Sequence, residues 1–243
     1  MRRAFRIVAG VLGVATIGLT VPFALGGFFS DADRIHRLHF TAGALGSGVL
    51  LGVSLIVCAL DPDDLGPFWV AVAAGVATTI AGIISGDFIS GIYFLAPLMI
   101  LVLFVLHPRR RSLFEIDGVD PATAALAALA VVPSVAFALT QSELQRNGLS
   151  SDPHADFHHY SSMASYSLAL PLTAFAAALL LPGRRIAAWI VGVTGAGLGL
   201  ASLALSDYTG AFDSSWAWLT LVWALAIVAF AEMGMRRETL EAA

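Results

Sequence analysis

The chain has 243 residues, of which 58% are hydrophobic and only 12% charged, with a mean hydropathy of +0.84 and a net charge of −4. Soluble domains carry about a quarter charged residues, so this composition excludes a soluble globular protein and implies an integral membrane protein whose spans, about 20 residues each, use up most of the length. All thirteen basic residues are arginine; without a lysine there is no retinal Schiff base, pyridoxal enzyme or lysine nucleophile, and short arginine groups without aromatic interleaving give nucleic-acid binding no support.

The first apolar run extends from about Ala4 to Phe29, behind Arg2, Arg3 and Arg6. A basic start, an apolar core and Ala24-Leu25-Gly26 also fit a signal peptide, but the run is long for one, and the repeat described below favours a retained helix. The second run, about His39 to Leu60, contains the single cysteine, Cys58, which rules out an intramolecular disulfide and a cysteine-based metal cluster. Further runs follow at about Pro67 to Gly86, Phe88 to Leu106, Ala122 to Thr140, Tyr160 to Leu181, Ile186 to Ser206, and Ser215 to Met233. The expected fold is therefore an all-α integral membrane protein of about eight transmembrane helices.

Within these runs, Gly43, Gly46, Gly48 and Gly52, and likewise Gly192, Gly195, Gly197 and Gly199, read as close helix packing. Pro97, Pro133 and Pro171 are expected to kink their helices. Glu232 is placed to pair with Arg236 one turn on, and Trp216 and Trp218 suit a membrane interface.

With the N-terminus inside, ten arginines fall on cytoplasmic segments (Arg2, Arg3, Arg6, Arg109, Arg110, Arg111, Arg184, Arg185, Arg236, Arg237) and three outside (Arg34, Arg37, Arg146). This positive-inside bias predicts a plasma-membrane protein with both termini cytoplasmic. The same assignment brings five of six histidines, His36, His39, His154, His158 and His159, to the outer surface and leaves His107 inside. Asp31, Asp33, Asp87, Asp152, Asp156, Asp207 and Asp213 join them, so any chemistry faces outward.

Self-comparison at an offset of 120 residues superposes His39-Phe40 on His159-Tyr160 and Asp87-Phe88 on Asp207-Tyr208, with His and Asp 48 residues apart in both cases. Val21-Pro22 and Val132-Pro133 occupy related places in the first and fifth helices. The expectation is two parallel four-helix repeats within one membrane domain, residues 1–111 and 112–243. Helices joined by a turn of about six residues are antiparallel neighbours, which lets His39 meet Asp87 and His159 meet Asp207. His36 lies three residues before His39, and His154 four before His158, spacings that share a helix face.

Imidazoles and carboxylates at one level of a bundle suit zinc or iron. The candidate metal ligands are His39, Asp87, His159 and Asp207, with His36, His154 and His158 as further ligands or supporting residues. The competing explanation is interfacial: Asp156 and Ser161 could cap the sixth helix and Asp213 or Ser214 the eighth.

Three functions fit. The first is a metal-dependent hydrolase of lipid-like substrates, using a metal-bound water and a nearby Asp or Tyr as acid or base. The spacing invites comparison with the seven-helix membrane hydrolases that include alkaline ceramidases and the progestin/adiponectin receptors. Only His154-x3-His158 looks like their H-x3-H pair, it lies in a different part of the chain, and their S-x3-H is missing, so membership does not follow. The second is a redox protein with His39 and His159 as axial haem ligands. The third is a small permease or a structural subunit serving a membrane-protein partner; mid-depth positions offer only hydroxyls such as Thr16, Ser47, Thr78, Thr79 and Thr194, and no charge of the kind coupled carriers use.

Overall fold

A computed structural model describes residues 1–29, 36–91, 93–148 and 152–241. Asp31, Asp33 and Arg34 lie outside the described residues, as do the side chains of Arg236 and Arg237. The described chain is helical, with one isolated bridge between Val119 and Leu179. In order come α1 (Arg2–Phe29), α2 (Arg37–Gly43), α3 (Ser54–Leu60), α4 (Leu65–Ile84), α5 (Leu95–Leu106), α6 (Pro121–Gly148), the single-turn α7 (Pro153–Asp156), α8 (His159–Ala178), α9 (Arg184–Ala204) and α10 (Ser214–Glu241). A π-helical stretch, Ala44–Val53, joins α2 to α3 without a break, making one apolar helix from Arg37 to Leu60.

Six of these helices are long and apolar enough to cross a membrane: α1, the α2–α3 helix, α4, α6, α9 and α10. Two of the expected runs differ. Among the described residues, the run from Phe88 to Leu106 is helical only in α5, twelve residues, because turns occupy residues 88–91, 93 and 94. Pro97 therefore falls in the first turn of α5, where a missing N–H costs nothing, and not in mid-span. The run from Tyr160 to Leu181 corresponds to α8, which is more polar than the six. Ser161, Ser165, Ser167 and Thr173 are buried on it, since α8 lies inside the bundle against α4, α6 and α9 and needs no apolar coat.

Hydroxyl pairs join these central helices: Thr78 Oγ1 and Ser165 Oγ are 2.9 Å apart, and Ser85 Oγ donates to Ser142 Oγ at 2.9 Å. Such interhelical bonds average about 0.6 kcal/mol each in membrane proteins. Close backbone approach does the rest. A Cβ on Gly13 would lie 2.8 Å from the Gly52 carbonyl oxygen, so α1 can rest on the π-helical stretch only with glycine there. Gly46 meets the Tyr166 ring in the same way, and Gly192 and Gly199 seat α9 against α10.

The two ends of the bundle differ in chemistry. At one end Arg2 pairs with Asp63 at 2.7 Å, and Arg6 donates from Nε to the Ala59 carbonyl at 2.7 Å, capping α3. Glu232 accepts from Arg185 Nε at 2.8 Å and from Trp189 Nε1 at 2.9 Å, which ties α10 to α9. His107 closes α5 at this end. At the other end α1, α4, α6 and α9 finish, α2, α8 and α10 begin, and the remaining histidines gather.

Candidate metal centre

Two short pieces of chain supply the imidazoles. His36 stands at the N-cap position of α2, and one turn later His39 points to the same side; both are buried, 7% and 4% exposed. From the second half, α7 starts at Asp152, whose carboxylate accepts from the His154 backbone N–H at 2.9 Å while Pro153 occupies the first helical position. After α7 the chain reverses at His158, the one described non-glycine residue with positive φ (56°). This left-handed turn is costly for a residue with a Cβ, and it separates two neighbouring rings: His158 is directed to α4, His159 to α2.

His39 and His159 stack with centroids 4.7 Å apart and planes 16° from parallel. His36 meets His159 edge-on at 4.6 Å, with Nδ1 to Nδ1 at 3.1 Å. Ligand nitrogens of His36, His39 and His159 all lie within 4.8 Å of one another, with the three rings buried; taken over the whole residue, His159 keeps intermediate exposure. His154 completes a group of four, 5.0 Å from His36 and 4.9 Å from His39 between centroids. Phe40 and Phe157 wall the group, at 5.5 Å and 5.6 Å from the His36 ring.

One imidazole in this group is electrically unsatisfied. Neither Nδ1 nor Nε2 of His39 has a hydrogen-bond partner, and each buried polar atom left so costs about 1–3 kcal/mol. The 3.1 Å contact between His36 and His159 fits a hydrogen bond between complementary tautomers, but it leaves His39 unexplained. A cation answers both. Metal–nitrogen bonds of about 2.0–2.1 Å in tetrahedral geometry separate the nitrogens by about 3.3 Å, close to the His36–His159 edge. Three imidazoles within 4.8 Å can thus hold a metal ion.

His154 is oriented from outside the group. Its Nδ1 lies 3.0 Å from Asp152 Oδ1, and Tyr160 Oη donates to Asp152 Oδ2 at 2.6 Å. Partial burial opposes the charge on Asp152, but the bonds from Tyr160 and His154 outweigh it and hold the carboxyl below the usual carboxylate range. A carboxylate on Nδ1 leaves Nε2 carrying the lone pair, as in carboxylate–histidine–metal arrangements.

The predicted aspartates are elsewhere. Asp87 is 1% exposed and accepts a short hydrogen bond from Ser161 Oγ; His158 Nδ1 approaches the same carboxylate at 3.1 Å, off the line of a hydrogen bond. Asp87 thus meets α8 and not His39, because α4 packs on α8. Asp207, its counterpart 120 residues on, is exposed in the turn after α9. The capping expectations resolve differently at the two helices: Asp213 accepts from the Ser215 and Trp216 N–H groups at 3.0 and 3.1 Å and caps α10, whereas at α8 the Ser161 N–H donates to Gln145 Oε1 at 3.4 Å. The stacking of His39 on His159 also corrects the haem expectation. Axial imidazoles point end-on at an iron from opposite faces of a porphyrin, and rings stacked face to face leave no slot for one.

Two polar residues near the group lie beyond the apolar runs of the sequence. Gln141 is 3% exposed with Oε1 lacking a partner, and Gln145 is fully buried, donating from Nε2 to the Ala155 carbonyl at 2.7 Å. No known protein family matches the chain, and neither a curated protein nor a solved structure matches it.

Proposed function

We propose that the protein is a membrane-embedded, metal-dependent hydrolase of lipid-like substrates, with His36, His39 and His159 holding zinc at the outer end of the bundle. The observation that carries this reading is His39, a buried imidazole with both nitrogens unpartnered among two others that offer a nitrogen. A three-histidine set leaves the fourth position of a tetrahedral ion for water, the arrangement of catalytic rather than structural zinc. Bound water of this kind has a pKa near 7.

His36, His39 and His159 would hold the ion, and the ion would supply a water activated for attack on a substrate acyl carbon. His154, held by Asp152, would take the proton of the attacking water and return it to the leaving oxygen or nitrogen as its bond to that carbon breaks, giving a carboxylic acid and an alcohol or amine with water as the only co-reactant. Ligation by three imidazoles drawn from both halves of the chain agrees with a single outward-facing site. In this reading α5 and α8 also cross or enter the bilayer, giving eight helices in two parallel halves, with both termini cytoplasmic in the plasma membrane.

The test is elemental analysis of the full chain purified in detergent, beside a His39→Ala variant. Near-stoichiometric zinc that the variant lacks supports the reading. A wild-type protein that binds no divalent metal, even after incubation with zinc, overturns it.

A further inference from the structure

Beside the histidine group, α6 and α10 do not close against each other. They leave a cavity of about 640 Å³, inside the range of about 300–1,000 Å³ typical of small-molecule sites. Its walls are Pro133 and Phe137 of α6 and Trp216, Thr220 and Trp223 of α10, with Phe212 across one end. Leu129, Trp216 and Leu219 are 73%, 48% and 55% exposed where they line it. Those faces belong to helices apolar enough to cross a membrane, so what the cleft opens on is hydrocarbon.

The cleft also has a polar end. Gln141 lines it, and its Oε1 is buried without a partner. A Cβ on Gly210 would lie 3.3 Å from that Oε1 and 3.2 Å from His39 Nε2. The two orphaned atoms therefore pack on one glycine, which leaves no room for a side chain and whose φ of +89° disfavours any replacement. A cleft that is mainly apolar, open to lipid, and ended by an unpartnered amide oxygen is complementary to an amphiphile with an N–H to donate.

We infer that the α6–α10 cleft binds the hydrocarbon chain of a single-chain acyl amide, whose N–H donates to Gln141 Oε1 at the end of the cleft nearest Gly210 and His39. The inference rests on the hydrolase reading for what happens at the polar end, but not for occupancy of the cleft. An anionic head group is disfavoured, since the Asp213 carboxylate lines the same cleft.

The probe is a palmitoyl amide carrying a photoactivatable diazirine near the middle of its chain, added to the full protein in phosphatidylcholine nanodiscs, with crosslinks mapped by mass spectrometry and bound metal measured on the same sample. Crosslinks should concentrate on residues 129–141 of α6 and 216–223 of α10, above the level on lipid-facing α1. Thr220→Trp, which fills the slot from a half-exposed position, should reduce them by about tenfold, the effect of losing contact for roughly two methylenes, with metal content unchanged. Ala130→Trp does the same from the opposite wall if Thr220→Trp does not fold. Labelling of α6 and α10 no stronger than that of α1, in protein that holds metal, overturns the cleft and leaves the hydrolase reading standing. Cleft labelling in protein without metal supports the cleft and overturns the hydrolase reading.

Discussion

His39 and His107 are both buried histidines at the ends of apolar helices, at opposite ends of the same bundle. His107, at the end of α5, is fully buried. Its Nδ1 accepts from the Arg109 backbone N–H at 3.1 Å, and Nε2, without a hydrogen-bond partner, faces an aromatic box with Phe5 and Phe68 rings 4.6 Å away. One hydrogen bond to Nδ1 and packing against two aromatic rings account for that residue with no ligand. His39 has three imidazoles about it and both nitrogens idle. Burial alone therefore does not distinguish a site from packing; what distinguishes them is whether the neighbours offer lone pairs that only a cation can share.

The strongest way to break this contrast is to exchange the roles. His39→Ala should abolish metal binding, an affinity loss greater than the roughly 10–100-fold that outer supporting residues contribute, while His107→Phe keeps the metal; elemental analysis of both variants decides it. Equal metal in the two would mean that His39 is ordinary core.

The next effect is a pH dependence at His107. Burial, first, and then the neighbouring Arg109 charge push the His107 pKa down to about 4. The folded protein then binds a proton less readily than the unfolded chain, so stability falls as pH drops from about 6.5 to about 4, by up to about 3 kcal/mol. Thermal melts of metal-free protein should show this slope in the wild type and less of it in His107→Phe. A variant with an unchanged slope assigns the effect to the histidine group instead.

Asp152→Asn comes third. It keeps the cap on α7 but removes the charge that orients His154, and should weaken zinc by about 10–100-fold in competition titrations against a chelator. Asp152 itself, held below the usual range, lends stability above pH of about 4 that is lost on further acidification. The smallest effect belongs to Gln141→Leu. It replaces a buried amide by an isosteric apolar group, so thermal stability should change by less than about 1 kcal/mol, with metal content intact. A large loss of stability would show the amide to be structural.

Most of the helices are legible in the sequence because a span must be apolar wherever lipid touches it. The exceptions are instructive. α8 carries four buried serine and threonine residues because its neighbours, not lipid, surround it, and the chain turns after α4 at Gly86, where φ is +75°. The histidines are visible as a cluster, since five share one end of the chain's topology. Their true carboxylate is not. Equal spacing of His and Asp in the two halves points to Asp87 and Asp207, but helix packing, which spacing does not encode, turns Asp87 to Ser161 and leaves Asp207 in solvent. The acid that does act on the group, Asp152, stands two residues before His154 in an Asp-Pro-His start to a helix, a capping signal available in the sequence. Gln141 and Gln145 escape a reading by hydropathy because the fifth apolar run ends at Thr140, whereas α6 continues to Gly148 and carries both indoors.

The division of the site between the two halves of the chain has a consequence for its making. His36 and His39 are synthesised about 120 residues ahead of His159, an interval of roughly 6–24 s at ribosomal speeds of about 5–20 residues per second. The apolar helices from α1 to α6 are therefore all made before the three histidines can come together. A metal taken up by this set could enter only once α8 is made, so a nascent chain arrested before α8 should emerge from the translocation machinery without metal.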